Sequence, residues 1–170
     1  MNAIGYRCSR CGQWHDEVPF AYGWNAPDYW DPAFASQGRG ILGEEQCIIR
    51  DDDDRENFFV RGRIVLPVID ANDDFEWGVW TTLAKEDFDR MDALWDEEGR
   101  PTEPPYFGWL ATELPLYPTT LNLKTHVHQQ PVEQRPLVEL EPTDHPLAIE
   151  QREGITLARV HEIAEELLHG

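Results

Sequence analysis

This chain of 170 residues carries 33 acidic and 14 basic side chains, a formal net charge of −19 at pH 7. Nucleic acid and anionic lipid repel so negative a chain, so we expect neither nucleic-acid binding nor membrane binding. One core can be buried at this length, and we expect a single domain over residues 1–170. The sequence contains no apolar run of about 18 residues and no apolar signal segment, which predicts a cytoplasmic protein.

The first motif in the chain is Cys8-x-x-Cys11-Gly12, with His15 shortly after it. Two thiolates at this spacing grip one metal ion because the chain between them forms a tight turn, and the glycine accepts the positive φ that the turn requires. Two more ligands complete a tetrahedral site. Three sulfur atoms and one nitrogen atom suit zinc, and we predict a zinc site with Cys8, Cys11, His15 and Cys47 as the metal ligands.

Two other interpretations of these cysteines stay open. A redox pair of the thioredoxin kind follows a strand and begins a helix, whose dipole lowers the thiol pKa, and no strand is predicted before Cys8. Buried thiols without a metal also fit, because Cys47 lies in an apolar run with Ile48 and Ile49. We favour a zinc knuckle within residues 1–20, a closed site that stabilises the fold and does not activate water.

An irregular aromatic segment, packed on the core, is predicted for residues 21–44, where prolines, glycines and aromatic side chains follow no period. Two strands are predicted after it, over residues 45–50 and 57–69. The second alternates apolar residues with arginines, as a half-buried strand does. The four aspartates at 51–54 predict a solvated loop between these strands, because neighbouring carboxylates repel each other.

Three further strands are predicted, over residues 75–82, 121–128 and 137–140. The middle one alternates cleanly, so Thr125 and Val127 should point inward while the histidines between and after them point outward.

Two amphipathic helices are predicted, one over residues 84–96 with Thr82 as its N-cap and one that begins near Thr156. The proline-rich segment 99–118 should form a loop with one turn of helix around Trp109. The helices come late and do not alternate with the strands. This order favours an α+β fold, with an antiparallel or mixed sheet of four to five strands, two helices and the N-terminal Cys-x-x-Cys knuckle.

A second group of candidate ligands lies in the last third of the chain. His126 and His128 are two residues apart on one strand and so share a face, and Asp144 and His145 offer a carboxylate and a third imidazole. A metal bound there with an open position would perform hydrolase or lyase chemistry, with these four residues as catalytic candidates. The plainer interpretation is a polar strand face and a capped turn.

Arg61 and Arg63 lie on one strand face in a chain with few basic residues. Each guanidinium can bind a carboxylate or a phosphate in a bidentate manner. In so acidic a protein, internal ion pairs with Asp and Glu are the favoured expectation.

Several short blocks of this sequence resemble a bacterial family catalogued as domain of unknown function 2199. The blocks are C-x-x-C-G-x-x-H, F-F-V-R-G, W-G-V-W, P-P-Y-F-G-W-L, L-N-L-K-T-H-V-H, T-D-H-P-L-A and Q-R-E-G-I. The resemblance extends from Cys8 to about Ile163. It implies a bacterial, single-domain, cytosolic protein, and it carries over neither an activity nor a catalytic residue.

The residues together predict a small acidic cytosolic protein that a structural zinc ion stabilises and that acts in protein interaction or regulation. Aromatic segments around Trp30 and residues 104–109 offer a surface for a protein partner, although such side chains also fill cores. An acidic surface suits a basic partner. The alternative function is that of the metal-dependent hydrolase or lyase. A third interpretation, a protein that neutralises a toxin, rests on charge alone.

Overall fold

The structure is a computed structural model that describes residues 5–15 and 17–169. Residues 1–4, 16 and 170 of the predicted domain (residues 1–170) lie outside the described part. Residues 1–4 and 16 also belong to the predicted knuckle (residues 1–20). Within that part, the strands are β1 (Tyr6–Arg7), β2 (Trp14–His15), β3 (Ala21–Gly23), β4 (Gly40–Leu42), β5 (Gln46–Arg50), β6 (Glu56–Leu66), β7 (Phe75–Leu83), β8 (Tyr106–Trp109), β9 (Lys124–His128) and β10 (Leu137–Leu140). The helices are α1 (Ala33–Ser36), α2 (Lys85–Ala93), α3 (Pro146–Glu153) and α4 (Leu157–His169), with a short 3-10 turn at Arg100–Thr102.

Eight of these strands form one mixed sheet, in which the neighbours run β3-β7-β6-β10-β9-β8 while β5 pairs with both β6 and β4. The pairs β3–β7 and β10–β6 are parallel, and the other pairs are antiparallel. β1 and β2 form a separate two-stranded sheet. The α+β fold with a mixed sheet is therefore as predicted.

The predicted number of strands, four to five, was wrong. β3, β4 and β8 are three or four residues long and lie among glycines, prolines and aromatic side chains. So short a strand has no room for an alternating pattern, and it forms because a longer neighbour supplies its hydrogen-bonding partners.

β6 and β7 form the longest pair, which runs over nine register positions from Phe58 opposite Leu83 to Leu66 opposite Phe75. On β6 the alternation is as predicted from Val60 to Leu66, with apolar residues buried and the two arginines half-buried. Phe59 was predicted on the outer face, yet it is buried, because the segment 21–44 covers that end of the sheet.

Three clusters make up the core. The largest lies between the sheet and helices α3 and α4, and it contains Ile64, Leu66, Trp77, Val79, Leu147, Val160 and Ile163. In the second, Phe88 and Met91 of α2 pack against Phe58 and Val60 of β6. The third holds Cys47, Ile49, Phe59, Trp80 and Ala111, with Trp30 and Phe34 packed against it. Trp30 and Phe34 thus pack on the core, and the segment 21–44, which was predicted to be irregular, contains β3, α1 and β4.

The sheet curls until β8, its last strand, contacts β7. The Ala111 N–H donates to the Trp80 carbonyl at 2.8 Å, and the Trp109 N–H donates to Thr82 Oγ1 at 2.9 Å. Two predictions were wrong here: Trp109 lies in a strand rather than in a helical turn, and Thr82 lies inside β7 rather than at a helix N-cap. The Thr82 hydroxyl accepts across the strands, and α2 begins after Ala84 without a side-chain cap.

The helices number four in the described residues, not two, and α3 is the longer of the two helices that the sequence did not reveal. It begins at Pro146, the last residue of the segment 144–146 that was predicted as a capped turn, and a proline at the first helical position was the available signal. The C-terminal helix is confirmed, with the Thr156 hydroxyl accepting from the Arg159 N–H at 3.2 Å. The aspartates at 51–54 do form the loop between β5 and β6. In the part of the chain described here, no helix has both the length and the apolar character that a membrane crossing requires.

We predict that Gly108→Ala destabilises the protein by about 1–3 kcal/mol. An added Cβ would collide with the Thr82 carbonyl oxygen and lie 2.8 Å from Thr81 Oγ1, so β8 would have to move away from β7. Urea unfolding measures the effect. Gly99→Ala is the matched control, since no atom lies within 4 Å of its added Cβ. Equal unfolding curves for the two variants would contradict the close contact of β8 with β7.

Candidate metal centre

A tight hairpin carries the Cys-x-x-Cys motif. β1 and β2 pair with Tyr6 opposite His15, and the turn between them is closed by the Gly12 N–H, which donates to the Cys8 carbonyl at 2.9 Å. The Cys8 N–H donates in turn to the Gln13 carbonyl at 2.9 Å. Gly12 has a φ of 71°, the left-handed value expected for the residue after the second cysteine.

Four potential metal ligands meet at this hairpin. One ligand atom from each of Cys8, Cys11, His15 and His169 lies within 4.8 Å of the other three. Cys11 Sγ and His15 Nε2 are 3.4 Å apart, close to the separation of about 3.5 Å that a tetrahedral zinc ion imposes on a sulfur and a nitrogen ligand. Two thiolates and two imidazoles form a ligand set that suits zinc.

The pKa of Cys8 favours the charged form of this candidate ligand. Burial by itself raises the pKa of the Cys8 thiol, but the backbone N–H groups of Cys11 and Arg10 donate to its sulfur and lower that pKa, so the net direction is downward. A thiolate, rather than a thiol, binds metal. Cys8 is 1% exposed, whereas Cys11 is exposed to solvent.

Helix α4 brings the fourth candidate ligand, His169, to the hairpin. The Ser9 N–H donates to Glu165 Oε1 at 3.1 Å, and its hydroxyl donates to Glu165 Oε2. These two bonds lower the pKa of the Glu165 carboxyl. Arg10 pairs with Glu166, and the Tyr6 ring stacks on His161 with ring centroids 4.7 Å apart.

The contacts of α4 share one side of the helix. His161, Glu165 and His169 recur every four residues, so their side chains lie above one another along the same face. That face is polar and opposite to the apolar stripe of Val160, Ile163 and Ala164 in the core. α4 therefore packs on the sheet with one side and holds the hairpin with the other.

His169 is the candidate ligand that sequence reasoning missed, and Cys47 was predicted in its place. Cys47 lies in β5 within a separate core cluster, beside Phe59 and Trp80. Burial raises the pKa of its thiol to about 12. The alternative that was left open, an ordinary core cysteine, describes Cys47 correctly.

The histidines of the second candidate site are held by other partners. His126 Nε2 lies 3.1 Å from Glu141 Oε2, and His128 Nε2 lies 2.9 Å from Glu139 Oε1. Both carboxylates belong to β10 or follow it directly, so these pairs join β9 to its neighbour. Thr125 and Val127 are buried between them, as the alternation predicted.

His145 has a structural role at the start of α3. The Leu147 N–H donates to its Nδ1 at 3.1 Å, so the ring proton is on Nε2, which donates to the carbonyl oxygens of Pro118 and Thr119 at 3.2 and 3.1 Å. Asp144 is exposed. Among the described residues, none of His126, His128, Asp144 and His145 belongs to a group of three or more potential ligands within reach of one metal ion.

A family model described as an uncharacterized protein conserved in bacteria (DUF2199) matches residues 7–155. The match includes three of the four clustered ligands and ends before α4, which carries the fourth. No curated protein and no solved structure matches this chain.

We predict that iodoacetamide modifies the three cysteines of the metal-free folded protein in a fixed order. Cys11 should react first because it is exposed, Cys8 more slowly because it is buried, and Cys47 last because its raised pKa of about 12 leaves almost no thiolate. Peptide mass spectrometry over time measures the three rates. In urea the rates should become equal, and a folded protein in which Cys47 reacts as fast as Cys11 would contradict this placement.

Proposed function

We propose that this chain, which belongs to the DUF2199 family of uncharacterized bacterial proteins, is a zinc-stabilised recognition protein that acts in protein interaction or regulation. The observation that carries the proposal is the closed ligand set of Cys8, Cys11, His15 and His169. Four protein ligands fill a tetrahedral zinc ion, whereas catalytic zinc sites keep one position for water or substrate. The proposed zinc ion therefore stabilises the fold and leaves recognition to another surface.

A structural zinc ion has a clear task at this place. β1 and β2 are two residues long each, and so short a hairpin is not stable alone in water. Zinc binding supplies folding free energy directly, because the unfolded chain has no preformed site. Bound by these ligands, the ion would join the N-terminal hairpin to the end of α4. We also propose a cytoplasmic location, where thiols stay reduced and available to a metal.

For recognition we propose an aromatic face formed by Tyr29, Phe107 and Trp109, which are 44%, 39% and 42% exposed. Phe107 and Trp109 contact each other edge to face with ring centroids 5.1 Å apart, and Tyr29 lines the same cavity of 380 Å³ as Trp109. Aromatic residues are enriched in protein interfaces, and Trp and Tyr are frequent among the few residues that carry most of the binding energy. Trp30, which was also expected at this surface, packs on Phe34 and the third core cluster instead.

The partner that we propose for the aromatic face is a basic protein segment. The chain has a net charge of −19, and Asp51 and Asp52 line the cavity beside Tyr29 and Trp109. The negative charge of this surface steers a basic partner to it and repels other acidic proteins.

Metal analysis tests the zinc proposal. We expect about one zinc ion per chain in the wild-type protein, loss of that zinc in Cys8→Ser and in His169→Ala, and retention in Cys47→Ala, whose side chain lies in a different core cluster. A chelator should lower the melting temperature of the wild-type protein and leave that of Cys8→Ser unchanged. Elemental mass spectrometry and thermal unfolding measure the two effects.

The result that contradicts the zinc proposal is a wild-type protein that binds no zinc when expressed with added zinc. Equal zinc contents in Cys8→Ser and Cys47→Ala would contradict the ligand set in the same way.

A pull-down from bacterial lysate tests the recognition proposal. The wild-type protein should retain a partner of high isoelectric point, and the double variant Phe107→Ser/Trp109→Ser should lose it. Ile69→Ser is the control, because Ile69 is 69% exposed and lies outside the aromatic face. Retention of the same proteins by the double variant, or loss of the partner from Ile69→Ser as well, would count against the aromatic face.

A further inference from the structure

A cavity opens where β6 changes its neighbour. One edge of β6 pairs with β7 from Phe58 to Leu66. On its other edge, β5 pairs with β6 as far as Val60, and β10 pairs with it at Arg63. β5 and β10 approach from opposite ends of the strand, and a space of 720 Å³ lies between them and the segment 129–136. Cavities that hold small molecules have volumes of about 300–1,000 Å³.

Gly62 makes this change of neighbour possible. A Cβ at this position would lie 2.6 Å from Val138 Cγ2 and 3.0 Å from the Pro136 carbonyl oxygen. Without a side chain, β6 lets the start of β10 come close, and the two arginines on either side of the glycine then line the cavity.

Four of the 14 basic residues of the chain line this space, namely Arg61, Arg63, Arg100 and Arg135. Four carboxylates line it as well, those of Glu45, Glu76, Asp96 and Glu133. The remaining wall is mixed: Met91, Trp95 and Val132 provide apolar surface, and Gln129, Gln130 and Gln134 provide amides.

Three of the four guanidinium groups are held by a carboxylate or by several backbone carbonyls. Arg63 pairs with Glu76 at 2.7 Å, and Arg135 binds both carboxylate oxygens of Glu45, at 2.7 and 3.0 Å. This part of the sequence expectation, internal ion pairs, is confirmed. Arg100 donates to four backbone carbonyls, those of Trp95, Gln130, Pro131 and Gln134.

Arg61 is the exception. Its Nη1 donates to the Glu44 carbonyl at 3.2 Å and its Nη2 to Asn25 Oδ1 at 3.1 Å, and both acceptors are neutral. Its Nε is buried and has no hydrogen-bond partner. Within the described residues, no carboxylate lies at ion-pair distance from it, unlike Arg63 and Arg135.

The surroundings of Arg61 disfavour an uncompensated positive charge. Burial lowers the pKa of its guanidinium, and repulsion from Arg135 lowers it further; the carboxylates of Glu45 and Glu44 act in the opposite direction, but the net direction is downward. A half-buried cation with an unsatisfied donor is costly unless an anion is bound to it. Since Arg61 lines the cavity, the missing anion can come from a ligand.

We propose that this cavity binds a small organic anion, whose carboxylate or phosphate group pairs with Arg61. The volume of 720 Å³ exceeds that of an inorganic ion, so the ligand has an organic body, which packs against Trp95 and Met91. The glutamine amides and Arg63 lie in the same wall and can orient its polar groups. The ligand belongs to the class of small phosphate esters or carboxylates with an apolar or aromatic part.

Isothermal titration with two probes tests this proposal. Phenyl phosphate and phenylacetate share an aromatic body and differ in the anionic group, so the stronger binder identifies which group the cavity prefers. We expect at least one of them to bind the wild-type protein in chloride buffer of low ionic strength, and we expect Arg61→Gln to weaken that binding by about tenfold or more.

Arg39→Gln is the matched control, because it removes the same charge from an arginine outside this cavity that pairs with Asp52. It should bind the probes as the wild-type protein does. Arg61→Lys provides a second variant if Arg61→Gln fails to fold, and it should also bind more weakly, since lysine keeps the charge but lacks the planar fork. Cys8→Ser should keep the binding, which separates this proposal from the zinc site.

Either of two results would overturn the proposal. In the first, neither probe binds the folded wild-type protein at concentrations up to about 10 mM. In the second, the folded Arg61 variants bind the probes as tightly as Arg39→Gln does.

Discussion

The antiparallel pairing of β6 with β7 is the constraint on which the rest of the structure depends. Nine register positions fix which side of each strand faces the helices, because a shift by one residue would turn every side chain to the opposite face. In this register Ile64 and Leu66 enter the largest core cluster, and Arg61 and Arg63 face the other way. The core and the arginine-lined cavity are thus two results of one pairing.

The hairpin that carries Cys8 and Cys11 is joined to this core in two ways, by Tyr6 and Cys8, which belong to the largest core cluster, and by α4. The apolar side of the helix packs on the sheet, and its polar side meets the hairpin through Glu165 and His169. The helix lies between the core and the candidate metal centre, so it transmits the rigidity of the core to His169. A ligand held in place before an ion binds would lose less conformational entropy on binding, which would favour affinity.

Local patterns in the sequence predicted much of this fold, and distant contacts explain what they missed. The alternation of β6 and β9 and the apolar stripe of α4 were visible because each element carries its own period. The motif Cys8-x-x-Cys11-Gly12 and His15 lie within a few residues and were recognised together. Spacing along the chain cannot associate His169 with them, because only the packing of α4 brings it there. Cys47 was chosen as a ligand by residue type alone, but β5 places its side chain in a separate core cluster.

The contact of Ser9 with Glu165 joins residues that are 156 positions apart. Synthesis proceeds from the N-terminus at about 5–20 residues per second, so the two cysteines leave the ribosome many seconds before the helix that completes their surroundings. Closing so long a loop also costs entropy that only a folded sheet can repay. Until then the two thiols of a nascent chain lack the rest of the ligand set, and full ligation of the proposed centre would be a chemical sign that folding is finished.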